Sequence, residues 1–128
     1  MTKQDAQQAQ LKRALSRLNE VLAAPESDIV RDSAIQRFEF SMDMAWKLLK
    51  TCLEERYGVV CQSPKECFRE AYRQKMLSYD EFWLELVDMR NQTSHTYKED
   101  LAKSVFARLP RAAEYLQDLL KIIEAQPK

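Results

Sequence analysis

The side chains best suited to chemistry lie in one short segment, residues 90–97. His95 is the only histidine in the chain, and imidazole is the side chain whose ordinary pKa lets it accept and donate a proton near neutral pH. The segment packs six hydrogen-bonding side chains into eight residues: Arg90, Asn91, Ser94, His95, Thr96 and Tyr97. We therefore expect any reaction to take place here.

A guanidinium followed by an imidazole suits the cleavage of RNA. Arg90 would hold a phosphate through a forked pair of hydrogen bonds, while His95 moves a proton on or off a ribose 2′-hydroxyl. Asn91 would orient the phosphate or the histidine. This internal attack needs no carboxylate cluster, and residues 90–97 contain none. The segment predicts a metal-independent endoribonuclease site that requires no cofactor.

The same residues also allow a structural interpretation. Thr96 would cap the last helix, Asn91 and Ser94 would satisfy the end of the helix before it, and His95 would sit at the negative end of that helix dipole. Tyr97 would then pack against the junction. An arginine five residues before a histidine is common by chance, so spacing alone does not separate the two interpretations.

Composition favours a single helical domain over residues 1–128. The chain is 45% hydrophobic and 31% charged, with one glycine and four prolines, which leaves few turn residues for a sheet of short strands. Basic and acidic residues both number 20, so any contact with RNA must be local. The polar N-terminus and the lack of a long apolar run predict a cytoplasmic protein that does not enter a membrane.

The three cysteines, Cys52, Cys61 and Cys67, are odd in number and do not form paired C-x-x-C elements. That pattern favours neither a zinc site nor a disulfide framework. We expect three reduced thiols.

Apolar spacing predicts the first two helices. Leucines recur at helical intervals over about residues 4–23. A second and longer helix begins near Ser27 or Asp28, either of which can cap it, and runs to Tyr57, where Gly58 supplies a left-handed stop.

Capping signals predict the next two helices. Ser63 opens a third helix over about residues 64–75. Ser78 and Glu81 have the spacing of a capping box that opens a fourth helix, and this helix delivers Arg90.

The last helix is expected to begin after Thr96 and to continue through Pro110 with a bend, because its apolar stripe resumes in phase beyond the proline. The resulting fold class is all-α, an antiparallel four- to five-helix bundle joined by short loops.

The second helix has apolar residues on two sides, which neighbouring helices or a subunit interface must cover. One set is Ala34, Phe38, Met42, Ala45, Leu49 and Cys52, and the other is Phe40, Met44 and Leu48.

Longer stretches of the chain resemble a known family. Arg90, Asn91 and His95 match the R-N-x-x-x-H signature of HEPN-domain proteins, and Tyr97 makes it the R-x-x-x-x-H-x-Y form. Together with residues 37–40, 45–50, 63–66 and 83–85, this motif resembles the nucleotidyltransferase substrate-binding proteins over nearly the whole chain. Gln92 and Thr93 occupy variable positions of the motif and neither support nor weaken the resemblance.

The resemblance implies a homodimer that places two motifs beside one cleft, and a partner, a minimal nucleotidyltransferase. In toxin–antitoxin pairs of this kind the helical protein resembles the ribonuclease toxin, and the partner silences it by transferring AMP to the motif tyrosine, here Tyr97. The alternative is a non-catalytic subunit, similar to the substrate-binding half of aminoglycoside nucleotidyltransferases. We favour the ribonuclease, because presenting a substrate does not require Arg90, Asn91 and His95 within six residues.

Overall fold

A computed structural model describes residues 1–126, which form five α-helices and one short 3₁₀ turn. The helices are α1 (Lys3–Leu22), α2 (Asp28–Tyr57), α3 (Pro64–Arg73), α4 (Phe82–Gln92) and α5 (Glu99–Ala125), and the 3₁₀ turn covers Thr93–His95. The all-α prediction is confirmed.

The predicted ends of α2 are confirmed, and the contacts that produce them are local. Ser27 Oγ accepts a hydrogen bond from the backbone N–H of Val30 at 3.1 Å, which satisfies one free donor of the first turn. At the other end, Gly58 adopts a left-handed φ of 67°, and its N–H bonds back to Glu54. Two short-range signals thus define the longest helix.

The predicted cap of α4 is wrong. Asp80 Oδ1, and not Ser78, accepts from the backbone N–H of Phe82 at 2.9 Å, because Asp80 lies two residues before the first residue of the helix whereas Ser78 lies four residues before it. Glu81 instead accepts a hydrogen bond from the Tyr79 hydroxyl at 2.9 Å. The capping box predicted for α4 does not form.

The last helix begins later than predicted. Thr96 does not cap α5, since its hydroxyl donates to the Thr93 carbonyl at 3.1 Å and α5 begins at Glu99. The intervening 3₁₀ turn moves Thr96 away from the start of the helix. The third helix is shorter than predicted and ends at Arg73, just before Lys75 takes a left-handed φ of 61°.

The core is built around α2, which packs against each of the four other α-helices. The first apolar set of α2 is fully buried, as predicted. The second set is divided, because Leu48 is also fully buried but Met44 is half-buried and Phe40 is 51% exposed. The α5 helix continues through Pro110, as predicted. No helix within residues 1–126 is both long and apolar enough to span a membrane.

The cysteine prediction is wrong for two of the three thiols. Cys61, in the loop before α3, forms a disulfide with Cys67 in α3, and their Cα atoms are 5.3 Å apart. The start of α3 turns the chain back so that the two residues meet, which their spacing in sequence does not reveal. Cys52 is a free, fully buried thiol.

Candidate functional site

Arg90, in the last turn of α4, is held by two carboxylates of α2. Its Nε donates to Asp43 Oδ1 at 2.8 Å and its Nη2 donates to Asp43 Oδ2 at 3.0 Å, a forked pair of charge-assisted hydrogen bonds. Its Nη1 donates to Glu39 Oε2 at 3.3 Å. Glu39 and Asp43 are four residues apart and therefore lie on one face of α2. The contacts fix the end of α4 against α2.

Thr93 completes this network. Its hydroxyl oxygen lies 3.1 Å from Arg90 Nη1 and 2.9 Å from Glu39 Oε2, and the residue is 7% exposed. Sequence reasoning did not single out Thr93, Asp43 or Glu39. The spacing of the two carboxylates on α2 was the one available signal, and only the packing of α4 on α2 shows that they face Arg90.

The network has two electrostatic consequences. The hydrogen bond with Asp43, aided by the negative charge of Glu39, raises the pKa of the Arg90 guanidinium further above neutrality, so this side chain remains cationic. Arginine has five N–H donors, of which four are committed here to Asp43, Glu39 and Thr93. The fork predicted to hold an RNA phosphate is therefore occupied by Asp43, and one N–H of Nη2 remains.

Arg108 of α5 holds α4 from another side. Its Nη2 donates to Gln92 Oε1 at 2.9 Å and its Nη1 donates to Glu85 Oε1 at 3.3 Å. The C-terminal half of α4 is thus tied to both α2 and α5 through arginine side chains. These contacts position the segment that follows α4.

His95 and Tyr97 lie on the exposed connection between α4 and α5. Their ring centroids are 6.2 Å apart with an interplanar angle of 70°. The His95 imidazole makes no hydrogen bond with any residue of 1–126, and Tyr97 is 78% exposed. Tyr97 therefore does not pack against the helix junction.

A groove of about 240 Å³ lies beside Arg90, and we call it the motif groove. Its lining includes Asp43, Trp46, Arg90, Asn91 and Ser94. The side chains of Asn91 and Ser94 make no hydrogen bond within the described residues. The structural interpretation in which these two side chains cap α4 is therefore wrong.

The structure brings only part of the predicted site together. Arg90 and Asn91 line the motif groove, whereas His95 is not among its lining residues. No hydrogen bond, ion pair or ring contact joins Arg90 to His95 within the part of the chain that the structure describes. In the same range, no three His, Cys, Asp or Glu side chains come together as candidate metal ligands.

Comparison with known proteins identifies the family. The sequence profile described as "Nucleotidyltransferase substrate binding protein like" matches residues 6–125. The chain belongs to this family. The resemblance on which the sequence interpretation was based is confirmed.

One protein with a similar sequence is described as a ribonuclease. Probable ribonuclease HepT of Haemophilus influenzae is 33% identical over 97 residues, which cover 66% of this chain and 63% of that protein. The match thus spans less than two thirds of that relative.

Two solved structures share the fold. A protein of Thermus thermophilus is 38% identical with a TM-score of 0.82, over 87% of this chain and 96% of its own. HI0074 of Haemophilus influenzae, described as having the fold of a substrate binding domain of a nucleotidyltransferase, is 27% identical with a TM-score of 0.69. That match covers 94% of this chain and 96% of HI0074.

Proposed function

We propose that this protein is a metal-independent endoribonuclease, the toxin of a toxin–antitoxin pair, in which Arg90, Asn91 and His95 act on RNA. The observation that carries the proposal is the state of His95, an exposed imidazole with no hydrogen bond to the described residues. It ends the 3₁₀ turn that follows α4, whose last turn holds a permanent cation, Arg90. The name of the HepT relative supports the same activity.

The reaction is a transesterification within the RNA chain. His95 removes the proton of a ribose 2′-hydroxyl, and the resulting oxygen attacks the adjacent phosphorus. The 5′-oxygen of the next nucleotide leaves and takes up a proton, so the products carry a 2′,3′-cyclic phosphate and a 5′-hydroxyl. The charge that develops on the phosphate is stabilised by Arg90, through its remaining N–H, and by the amide of Asn91.

A homodimer would account for the separation of Arg90 from His95. Arg90 and His95 make no direct contact within one copy, and two copies of the motif beside one cleft would surround a bound phosphate more completely. In light scattering at micromolar concentration, the protein should have twice its mass of 15.1 kDa. A clean monomer would exclude the shared cleft.

The His95→Ala variant tests the activity. Loss of the proton carrier should reduce the rate of RNA cleavage by roughly 100- to 10,000-fold, the usual contribution of a general acid or base. Ser104→Ala is the control, because Ser104 is also exposed, makes no side-chain hydrogen bond to the described residues and does not line the motif groove. EDTA should leave the wild-type rate unchanged. Cleavage that persists in His95→Ala, or that EDTA abolishes, contradicts the mechanism.

We further propose that Tyr97 is the switch. A partner minimal nucleotidyltransferase would transfer AMP from ATP: the tyrosine oxygen attacks the α-phosphorus, pyrophosphate leaves and the phenolic proton passes to solvent. The 78% exposure of Tyr97 makes this hydroxyl accessible, and its ring lies 6.2 Å from that of His95. An attached nucleotide would therefore cover the histidine by bulk and add a negative charge beside it.

Mass spectrometry after incubation with the partner and ATP tests this switch. Wild type should gain the mass of AMP, roughly 329 Da, and lose activity, whereas Tyr97→Phe should do neither. Tyr79→Phe is the control, because Tyr79 is similarly exposed at 64% but lies outside the motif. Modification of wild type and Tyr97→Phe alike would show that the target is another residue.

The second candidate is a non-catalytic subunit that presents a small molecule to a nucleotidyltransferase. The family description and that of HI0074 favour it, and so does the occupation of the Arg90 fork by Asp43. In this function the partner would modify an aminoglycoside only when this chain is present. His95→Ala would then leave the transfer rate unchanged.

A further inference from the structure

A second and larger groove lies between α1 and α2, with a volume of about 500 Å³. Its lining includes Arg13 and Arg17 from α1 and Arg37, Phe40 and Met44 from α2. We call it the arginine groove. Its lining residues contain no aspartate or glutamate.

The three guanidinium groups of this groove are free of carboxylate partners. None of them forms an ion pair with any of residues 1–126. Arg13 and Arg17 are exposed, while Arg37 is half-buried and donates from Nη1 to the backbone carbonyl of Arg17 at 2.7 Å. In a chain with equal numbers of acidic and basic residues, this is a local excess of positive charge that attracts an anion.

Phe40 adds a flat apolar surface to the same groove. Its side chain is 51% exposed, although α2 buries most of its other apolar residues. An accessible aromatic ring among arginines matches the chemistry of single-stranded nucleic acid, whose bases stack on aromatic rings while arginines contact the phosphates. The half-buried Met44 extends the apolar surface.

Charge argues against a second copy as the occupant. A two-fold interface places the same patch of both subunits face to face. Here it would bring the three unpaired arginines of each copy together, with no carboxylate in the groove lining to offset the repulsion. A bound polyanion instead neutralises the three arginines of a single copy.

The arginine groove adjoins the motif site around α2. Phe40 follows Glu39 directly and Met44 follows Asp43, and adjacent side chains differ by about 100° around a helix. On a helix about 10 Å across, this angle corresponds to roughly 9 Å of surface. A short stretch of RNA could therefore contact Phe40 while a neighbouring phosphate reaches Arg90.

We propose that the arginine groove binds single-stranded RNA next to the cleavage site. One base stacks on Phe40, and phosphates contact Arg13, Arg17 and Arg37. This inference rests on the proposed ribonuclease function for the identity of its ligand.

The test measures RNA binding separately from cleavage. In the His95→Ala background, the affinity for a fluorescein-labelled single-stranded RNA of mixed sequence is followed by fluorescence anisotropy over a series of salt concentrations. Phe40→Leu should weaken binding by roughly 5- to 150-fold through loss of stacking. Arg13→Gln/Arg17→Gln should weaken binding and lower the salt slope, d log K/d log[salt], by about 1.4 in magnitude, since each phosphate contact contributes about 0.7.

Lys12→Gln/Lys121→Gln is the charge-matched control, since both lysines are exposed and neither lines the groove. It should leave the affinity nearly unchanged. Equal weakening by both double variants would mean that only net charge matters, and would overturn the proposal.

The outcomes also separate this inference from the proposed function. If wild type cleaves RNA but the groove variants bind it as tightly as their parent, the groove inference fails and the ribonuclease function stands. If RNA binds through the groove but wild type does not cleave it, the groove inference stands and the ribonuclease function fails. Variants that keep RNA affinity and instead lose binding of the partner nucleotidyltransferase, or lose dimer mass, would assign the groove to a protein interface and overturn the proposal.

Discussion

Replacing Asp43 by asparagine should destabilise the protein through Arg90. Asp43 accepts two hydrogen bonds from the Arg90 guanidinium, at 2.8 and 3.0 Å, across the contact between α2 and α4. Asparagine keeps the size of the side chain and one carbonyl acceptor, but it removes the negative charge and one acceptor atom. The change therefore isolates the forked, charge-assisted part of the contact.

The structure sets the expected magnitude. The side chains of Arg90 and Asp43 are 29% and 37% exposed, so the pair lies between an exposed pair, which contributes about 0.2–1 kcal/mol, and a buried pair, whose disruption costs about 3–5 kcal/mol. Glu39 still balances the charge of Arg90 in the variant. We expect a loss of about 1–2 kcal/mol in the free energy of unfolding, or a Tm lower by roughly 3–8 °C.

Urea and thermal unfolding at pH 7, followed by circular dichroism at 222 nm, measure this loss. Asp88→Asn is the control, because Asp88 forms a single 2.8 Å contact with Lys65 between more exposed side chains, 54% and 38%. It should cost at most about 0.5–1 kcal/mol. A double-mutant cycle of Asp43→Asn with Arg90→Gln should give a coupling energy of about 1 kcal/mol.

Two results would refute this reasoning. One is a loss for Asp43→Asn that is no larger than the loss for Asp88→Asn. The other is a coupling energy near zero, which would mean that any destabilisation by Asp43→Asn does not pass through Arg90.

Two further predictions concern stability away from the site. Gly58→Ala should cost about 1–2 kcal/mol of unfolding free energy, because the φ of 67° is unfavourable for alanine although an added Cβ meets no atom within 4 Å. Urea unfolding should show a smaller loss for Gly58→Asn. Equal losses would mean that packing, and not the backbone conformation, causes the destabilisation. Burial raises the pKa of the Cys52 thiol from 9.0 to about 11. The contribution of the protonated thiol to stability is therefore complete below pH 9 and is lost as the pH rises from about 9 to 11. Over that range the urea midpoint of wild type should fall relative to that of Cys52→Ala. A constant difference, or rapid alkylation of native Cys52 by iodoacetamide at pH 8, would contradict the raised pKa.

Local signals in the sequence determined most of the helical architecture. The Ser27 cap and the Gly58 stop act within four residues of themselves, and apolar spacing is a property of a single helix. The same kind of signal failed where two neighbouring side chains competed, since Asp80 rather than Ser78 bonds to the start of α4. The motif of Arg90, Asn91 and His95 was equally visible, because its members are close in sequence.

The tertiary structure alone decided what surrounds those residues. Arg90 meets Asp43 across 47 positions of the chain, and Arg37 reaches the Arg17 backbone across 20. Both contacts depend on how α2 is rotated against α4 and α1, which no spacing within one helix specifies. Such rotation follows from the burial of all apolar faces together. For this reason the occupied fork of Arg90 and the three unpaired arginines beside Phe40 became apparent only in the folded chain.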